Sequence, residues 1–381
     1  MLPWSTTTLA QQAERVQGRV DPRTQPPLPY VGLEHIAAGA LTLRATGHSA
    51  DVTSACFRYQ PGDVLFGRLR PYFRKVVRAP GTGLCSTETW VLRPRAGVDP
   101  DYLFYAVANP AFVELCTRSS EGTRMPRARW DFVSQVPLPW PDLDEQRLIS
   151  AVLRPLDARI DLNRRMNSTL QELLRGLFAR HVVGPAAAGA SGWSQGRLGD
   201  LASLHRQTVQ PDSVPPDTPC VGLAQMARGS VALEHWGRAG DTSSPKTAYE
   251  AGDLLFGRLR PYFKKVAVAP VGGLCSSDVL VVRPRDPSLR ALTLSWLVHD
   301  PFIAHATAVS TGTRMPRAPW SALADFPVPL PPAGVAAELE RTGGPLIDRL
   351  AANVRQNRTL ARLRDRLMPG LLSGERRLSP C

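Results

Sequence analysis

The chain repeats itself at one constant offset, and no other feature constrains its fold as strongly. Gly67-Arg68-Leu69-Arg70-Pro71-Tyr72-Phe73 returns 190 residues later as Gly257-Arg258-Leu259-Arg260-Pro261-Tyr262-Phe263. Gly83-Leu84-Cys85-Ser86 returns at the same spacing as Gly273-Leu274-Cys275-Ser276, and Gly122-Thr123-Arg124-Met125-Pro126-Arg127-Ala128 returns unchanged at 312–318. Fainter pairs extend the match, from Val31-Gly32-Leu33 with Val221-Gly222-Leu223 to Asn167, Thr169 and Leu170 with Asn357, Thr359 and Leu360. An offset this constant means a tandem duplication with few insertions. A solenoid needs about three repeats, so two copies predict a molecule with two similar heads.

Within each copy the texture changes once. Up to about Pro141, short apolar runs such as Asp63-Val64-Leu65-Phe66, 84–92 and 136–139 are cut by Gly and Pro, with helical stretches such as 101–108 between them. That pattern predicts a mixed domain with modest sheets. From Asp142 to Arg180 the pattern is helical. Pro155, matched by Pro345, is expected to break it and to open a long second helix. The expected organisation is a first head at 1–141, a helical spacer at 142–180, an Ala/Gly-rich linker at 181–192, a second head at 193–332, a second spacer at 333–374 and a tail at 375–381. The expected fold class is α+β, two similar domains with small β-sheets joined by two long helices.

Those helices carry a heptad seam. Steps of four and three from Leu156 pick out Ile160, Asn163, Asn167, Leu170, Leu174 and Leu177, and the second copy offers Leu346, Leu350, Asn353, Asn357, Leu360, Arg364 and Leu367. Each stripe has an Asn pair at its middle. A buried Asn costs stability but fixes register and partner, so the two helices are expected to pair as an antiparallel coiled coil under a pseudo-twofold axis. In the plainer alternative each helix packs on its own domain and the Asn residues face solvent. A helix over 156–180 would be about 37 Å long, close to the roughly 34–36 Å of one turn of B-DNA.

Lys and Arg number 46 against 33 Asp and Glu, a formal net charge of +13. That surplus suits a polyanionic partner, nucleic acid before an acidic membrane surface. No stretch approaches the roughly 18 apolar residues of a membrane helix, so no membrane partner is expected. The start lacks the basic and then apolar order of a signal peptide. The six cysteines include no C-x-x-C pair and the seven histidines are scattered, which leaves a metal site nothing to stand on. The expected compartment is a reducing cytoplasm.

Cations gather in the repeated motifs. Arg68, Arg70, Arg74 and Lys75 follow an expected strand, as do Arg258, Arg260, Lys264 and Lys265 in the second copy. Arg124, Arg127 and Arg129 surround Met125-Pro126, with Arg314 and Arg317 at the repeated positions. All suit phosphate contacts, and an Arg also suits bidentate guanine contact. The plainer reading puts Pro71, Tyr72 and Phe73 in the core and leaves the cations merely solvated. Two heads that read different sequences cannot choose bases with identical residues, so the repeated cations are expected to be framework or phosphate contacts. Base readers are expected where the copies diverge, at 37–60 against 227–250 and 94–121 against 284–311. Arg44, His48, Arg58, Arg118, His235, Arg238 and Lys246 are the candidates there.

The run GDVLFGRLRPYFRKV, then GLCSTE, GTRMPRARW and VPLPWPDLDEQRLI, resembles the target-recognition domain and following helix of type I restriction-modification specificity subunits. GDLLFGRLRPYFKKV, GLCSSD, GTRMPRAPW and FPVPLPP are similar in the same order, so the resemblance covers nearly the whole chain, twice. It implies that each head reads half of a bipartite, asymmetric site in double-stranded DNA, while the paired helices measure the gap and dock partners. The implied partners are two adenine-methyltransferase subunits and the motor-nuclease subunits that join them for cleavage. S-adenosylmethionine, ATP and Mg would belong to those partners, and this chain is expected to hold no cofactor and no catalytic centre. The second copy departs from the pattern with Gly334-Val335-Ala336 where the first has Asp144-Glu145-Gln146, and with Gly343-Gly344 before Pro345. The first copy lacks the Leu198-Gly199-Asp200 of the second. The two docks therefore need not be equal.

Enzyme readings find little support. An amino-methyltransferase would need an Asn/Asp-Pro-Pro-aromatic motif and a Gly-rich cofactor loop; Asn109-Pro110-Ala111-Phe112 falls short and reads as a helix end. No G-x-x-x-x-G-K-[ST] loop is present, and Asp142, Asp144 and Glu145 read as acids at a helix N-terminus. A stand-alone DNA-binding regulator, or a nuclease or methyltransferase with an unrecognised site, stays open as an alternative.

Overall fold

A computed structural model of the chain describes residues 4–378. It divides into two compact units, Met1–Asp161 with Leu360–Cys381, and Leu162–Thr359. Each unit holds one head and part of each of two long helices.

The head of the first unit is built on three small sheets. Ser5–Thr8 pairs antiparallel with Pro137–Trp140, tying the start of the head to its end. A four-stranded antiparallel sheet runs in the order Ala13–Val16, Thr89–Pro94, Val64–Gly67, Val76–Arg78. A five-stranded sheet runs Arg19–Val20, Cys56–Tyr59, Gly83–Ser86, Pro29–Val31, Gly47–His48, with Pro29–Val31 parallel to Gly83–Ser86. The apolar run 84–92 is therefore two strands of different sheets, separated by a turn in which Ser86 Oγ accepts from Glu88 N. The second unit repeats all three sheets, with Leu254–Gly257 central in the place of Val64–Gly67.

Val64–Gly67 reads as a continuous apolar run because both of its faces are covered. Alternate side chains enter different clusters: Val64 and Phe66 join Trp90, Phe112 and Tyr102, while Leu65 joins Val31, Tyr59 and Cys85. Helix Pro100–Ala108 starts where Asp99 accepts from Tyr102 N, and Asn109 caps Pro110–Arg118 by accepting from Ala111 N.

The long helices Leu143–Phe178 and Ala333–Ser373 run unbroken through Pro155 and Pro345, where a break and the start of a second helix are expected from the sequence. A helical proline removes one hydrogen bond and crowds the preceding turn. Pro155 and Pro345 both lie on exposed faces, where water can satisfy the freed carbonyl. Arg290 Nη2 also donates to Gly344 O at 3.2 Å, beside Pro345. The expected linker 181–192 is partly helical, since a π-turn at Ala179–Val183 leads into Gly184–Ala187. Gly343 is buried because a Cβ there would sit 2.9 Å from Leu174 Cδ1 and 3.2 Å from Ala291 Cβ. The glycine lets the helices close up in the second unit.

Within the second unit the helices run antiparallel. Asn163 Nδ2 donates to Asn357 Oδ1 at 2.8 Å and to Gln356 Oε1 at 2.7 Å, and Asn353 Nδ2 donates to Asn167 Oδ1 at 2.9 Å. All four Asn side chains are buried, and Asn163 Oδ1, Asn167 Nδ2 and Asn357 Nδ2 find no partner. Such a half-satisfied ladder costs stability, and its return is a fixed register. Leu174 and Leu350 are buried along this part of the seam and Leu170 and Leu346 are half-buried; in the first unit Ile160 is buried and Leu156 and Leu360 are half-buried.

The first unit seals its share of the seam differently. Arg364, 1% exposed, donates from Nη1 to Asp157 Oδ1 at 2.7 Å, and Tyr105 OH donates to Asp157 Oδ2 at 2.7 Å. The repeat-related positions in the second unit hold Leu174, Ile347 and Ser295. One unit thus has a buried ion pair where the other has aliphatic packing.

Candidate nucleic-acid interface

The repeated motifs build one surface in each head. Arg70 and Arg74 have φ of 48°, and Arg260 and Lys264 have φ of 51° and 50°. These left-handed residues bracket the one-turn helices Pro71–Phe73 and Pro261–Phe263. Left-handed geometry costs a side-chain-bearing residue about 1–2 kcal/mol, and strain kept at both copies marks a shape that the surroundings enforce. The enforcement is visible. Arg70 N donates to Pro126 O at 2.7 Å, and Ala128 N donates to Arg68 O at 2.9 Å. The second head repeats these bonds from Arg260 to Pro316 and from Ala318 to Arg258, at 2.9 and 3.0 Å. Gly122, at φ 97°, turns the loop so tightly that a Cβ would stand 3.2 Å from Met125 O.

The loops divide the predicted cations into two groups. Arg127 is bidentate on Glu88 at 2.8–3.0 Å, and Arg317 takes Asp278 at 2.6 Å. Arg74 donates to Ala108 O at 2.7 Å and to Asp365 at 3.2 Å; burial lowers its pKa, against the pull of Asp365. Lys75 and Lys265 are half-buried, donate to Leu33 O and Leu223 O, and are likewise lowered by burial. Arg68 and Arg258 are half-buried, with Arg68 Nε 3.7 Å from Glu88. Lys264, exposed, meets Asp300 at 2.6 Å. Arg127, Arg317, Arg74, Lys75, Lys265, Lys264 and Arg68 are thus engaged by carboxylates or backbone carbonyls of the protein. Arg70, Arg124, Arg260 and Arg314 are instead exposed, and each of Arg70 and Arg260 donates through Nη2 to the carbonyl of Arg124 or Arg314 at 3.2 Å. Arg74 and Lys75, expected with the rest of the cluster to meet phosphates, direct their guanidinium and ammonium groups to Ala108 O, Asp365 and Leu33 O instead.

The plainer reading of the motif is corrected too. Pro71 is buried, but Tyr72 is 50% and Phe73 41% exposed. Tyr262, Met125 and Met315 are 47%, 46% and 47% exposed. The short turn between two left-handed residues leaves Tyr72 no inward face.

Among the candidate base readers, Lys246 is buried and donates to Ser244 O at 2.7 Å, so its ammonium is not presented to a partner. Arg238 lies between Asp217 and Asp241, Arg58 donates to Gln25 Oε1, and Arg118 is 3.9 Å from Glu114. Arg44, His48 and His235 are exposed. At the start of the first long helix, Asp142 Oδ1 caps Glu145 N, Glu145 accepts from Trp4 Nε1 at 2.7 Å, and buried Gln146 bridges Asp99 N and Pro141 O. Those residues close the helix onto its head. Among the described residues no group of three or more His, Cys, Asp and Glu is placed to hold a metal ion, and no helix is long and apolar enough to cross a membrane.

Residues 36–172 match the family described as type I restriction modification DNA specificity domain. The Type I restriction enzyme EcoDI specificity subunit of Escherichia coli is 26% identical over 196 residues, 49% of this chain and 43% of that subunit. The HindI specificity subunit of Haemophilus influenzae is 23% identical over 238 residues, 60% and 52%. The chain thus spans about half the length of the curated relatives it matches. The S subunit of a type I restriction-modification system from M. genitalium superposes with a TM-score of 0.59 over 97% of this chain and 96% of that one, at 12% identity. A shared fold at that identity leaves the chemistry of the surface to be argued from its own residues.

Proposed function

We propose that the chain, whose residues 36–172 match the type I restriction modification DNA specificity domain and which is similar to curated specificity subunits, has two heads that each read one half of a bipartite, asymmetric site in double-stranded DNA. The observation that carries this reading is the paired exposed arginines, Arg70 with Arg124 and Arg260 with Arg314, held at the same place in both heads. Two such grips, on a chain with a net charge of +13, suit a polyanion held at two points. Identical grips position the duplex; the divergent segments then choose the bases.

The chain serves partners that carry the chemistry. Two adenine-methyltransferase subunits, with their S-adenosylmethionine, dock along the paired helices, and motor-nuclease subunits with ATP and Mg join for cleavage in the cytoplasm. The unlike starts of the two long helices, Asp142-capped in one and Gly334-Val335-Ala336 in the other, make those docks unequal. Co-expression with a cognate adenine methyltransferase tests the assignment. A stable complex of two methyltransferases per chain is the expected mass. Recovery of the chain alone, still bound to DNA, would instead favour a stand-alone DNA-binding regulator.

A further inference from the structure

Nine large hydrophobic side chains are exposed among the described residues, and five of them, Tyr72, Phe73, Met125, Tyr262 and Met315, lie on the paired loops of the two repeated motifs. That concentration needs a reason, because an isolated exposed apolar residue is ordinary but a repeated patch is not. The two loops of each patch are joined through backbone, from Arg70 N to Pro126 O and from Arg260 N to Pro316 O. Tyr72 packs against Phe73 with ring centroids 4.8 Å apart, and Tyr262 against Phe263 at 4.7 Å. In the second head Phe263 is backed by Arg228, 3.8 Å over its ring, and a cavity of about 450 Å³ opens between Leu259, Phe263 and Met315 with Arg260 and Arg314 at its edge. The backbone of the aromatic turn is pinned through Arg70 N to Pro126 O and Arg260 N to Pro316 O, which reduces the ordering that binding would require.

We propose that Tyr72 with Met125, and Tyr262 with Met315, are apolar wedges that press onto base steps of the bound duplex while Arg70, Arg124, Arg260 and Arg314 hold the adjoining phosphates. The occupant is argued from charge. Each patch is flanked by two exposed arginines, Arg70 with Arg124 and Arg260 with Arg314, which a nucleic acid complements and a basic or apolar protein surface does not. Apolar side chains have no role at a phosphate, but between flanking cations they suit the faces of partly unstacked bases. Their identity in both heads fits a contact that bends or opens any sequence rather than one that selects it. The inference rests on the DNA-binding reading above and adds a second kind of contact to it.

The test uses the full chain and a mixed-sequence duplex, with affinity measured by fluorescence anisotropy across a salt series. Base stacking on an aromatic side chain contributes enough that Tyr72→Ala with Tyr262→Ala should weaken binding about tenfold. The salt slope should not change, because no phosphate contact is lost. Tyr72→Phe with Tyr262→Phe should bind like the parent. A benzophenone amino acid at position 72 should crosslink to DNA. If the chain binds no DNA, the function proposed above fails. If it binds and the alanine pair matches the parent in affinity, with no crosslink at position 72, the wedge alone is overturned. Crosslinking of position 72 to a co-expressed methyltransferase instead of DNA would make the patch a protein dock and would equally overturn it.

Discussion

Replacing Arg364 by Leu removes the guanidinium that neutralises Asp157 inside the first unit. The side chains are 1% and 9% exposed and meet at 2.7 Å. After the substitution Asp157 keeps the Tyr105 hydroxyl at 2.7 Å and Arg78 at 3.5 Å, but loses its nearest charge. Breaking a buried pair by deleting one partner costs about 3–5 kcal/mol, and the two surviving contacts place this case near the lower end, about 3 kcal/mol. For a cooperative unit of this size that lowers Tm by about 6–12 °C, read by calorimetry on the full chain. Arg364→Leu with Asp157→Ile installs the aliphatic pair that the second unit has at Leu174 and Ile347. Replacing both members of a buried pair by apolar groups is close to neutral, and the orphaned Tyr105 hydroxyl costs about 1 kcal/mol. The double variant should therefore recover most of the loss. An Arg364→Leu chain that unfolds within about 1 kcal/mol of the parent, or a double variant as unstable as the single, would refute the argument that charge burial sets the cost.

Further outcomes are expected at other sites. Arg124→Ala should lower the slope of log affinity against log salt by about one, whereas Arg74→Ala, whose group is spent on Ala108 O and Asp365, should leave the slope unchanged and reduce thermal stability; equal slopes for both would contradict the division of the cations. Gly343→Ala should destabilise by about 1 kcal/mol net, because crowding of Ala291 Cβ at 3.2 Å and Leu174 Cδ1 at 2.9 Å outweighs the helix propensity alanine gains, and an unchanged denaturation midpoint would show that Leu174 and the facing helix yield. Asn163→Leu alone should destabilise, since Asn357 loses its partner in a buried seam; chemical denaturation that shows a gain would mean that the Asn ladder is not closed.

The repeat made the gross architecture readable, because one offset that relates Val31 to Val221 and Asn167 to Asn357 leaves little room for two unlike domains. The helical Asn pairs were readable for a similar reason: seam spacing is a local property of sequence. What failed was whatever depends on a distant partner. Arg74 and Asp365 are 291 residues apart, so nothing local distinguished an arginine engaged by the protein from an exposed one such as Arg70. Hydrophobicity alone left open whether Tyr72 joins the core, and two left-handed residues and a buried Pro71 leave it exposed. Pro155 and Pro345 read as breaks that open second helices, because the proline penalty by itself does not tell that both lie on exposed faces. Gly343 next to Pro345 read as divergence; its role in close helix packing emerges only once Leu174 and Ala291 lie opposite it.

Mapping methylated adenines in cells that express this chain with its cognate methyltransferase, by single-molecule sequencing, measures the central claim directly. Two heads of like scaffold and divergent reading segments predict one motif made of two unrelated half-sites across a fixed gap, with exchange of residues 193–332 altering only one half. A single contiguous or palindromic motif, or a motif in which both halves change together, would contradict it.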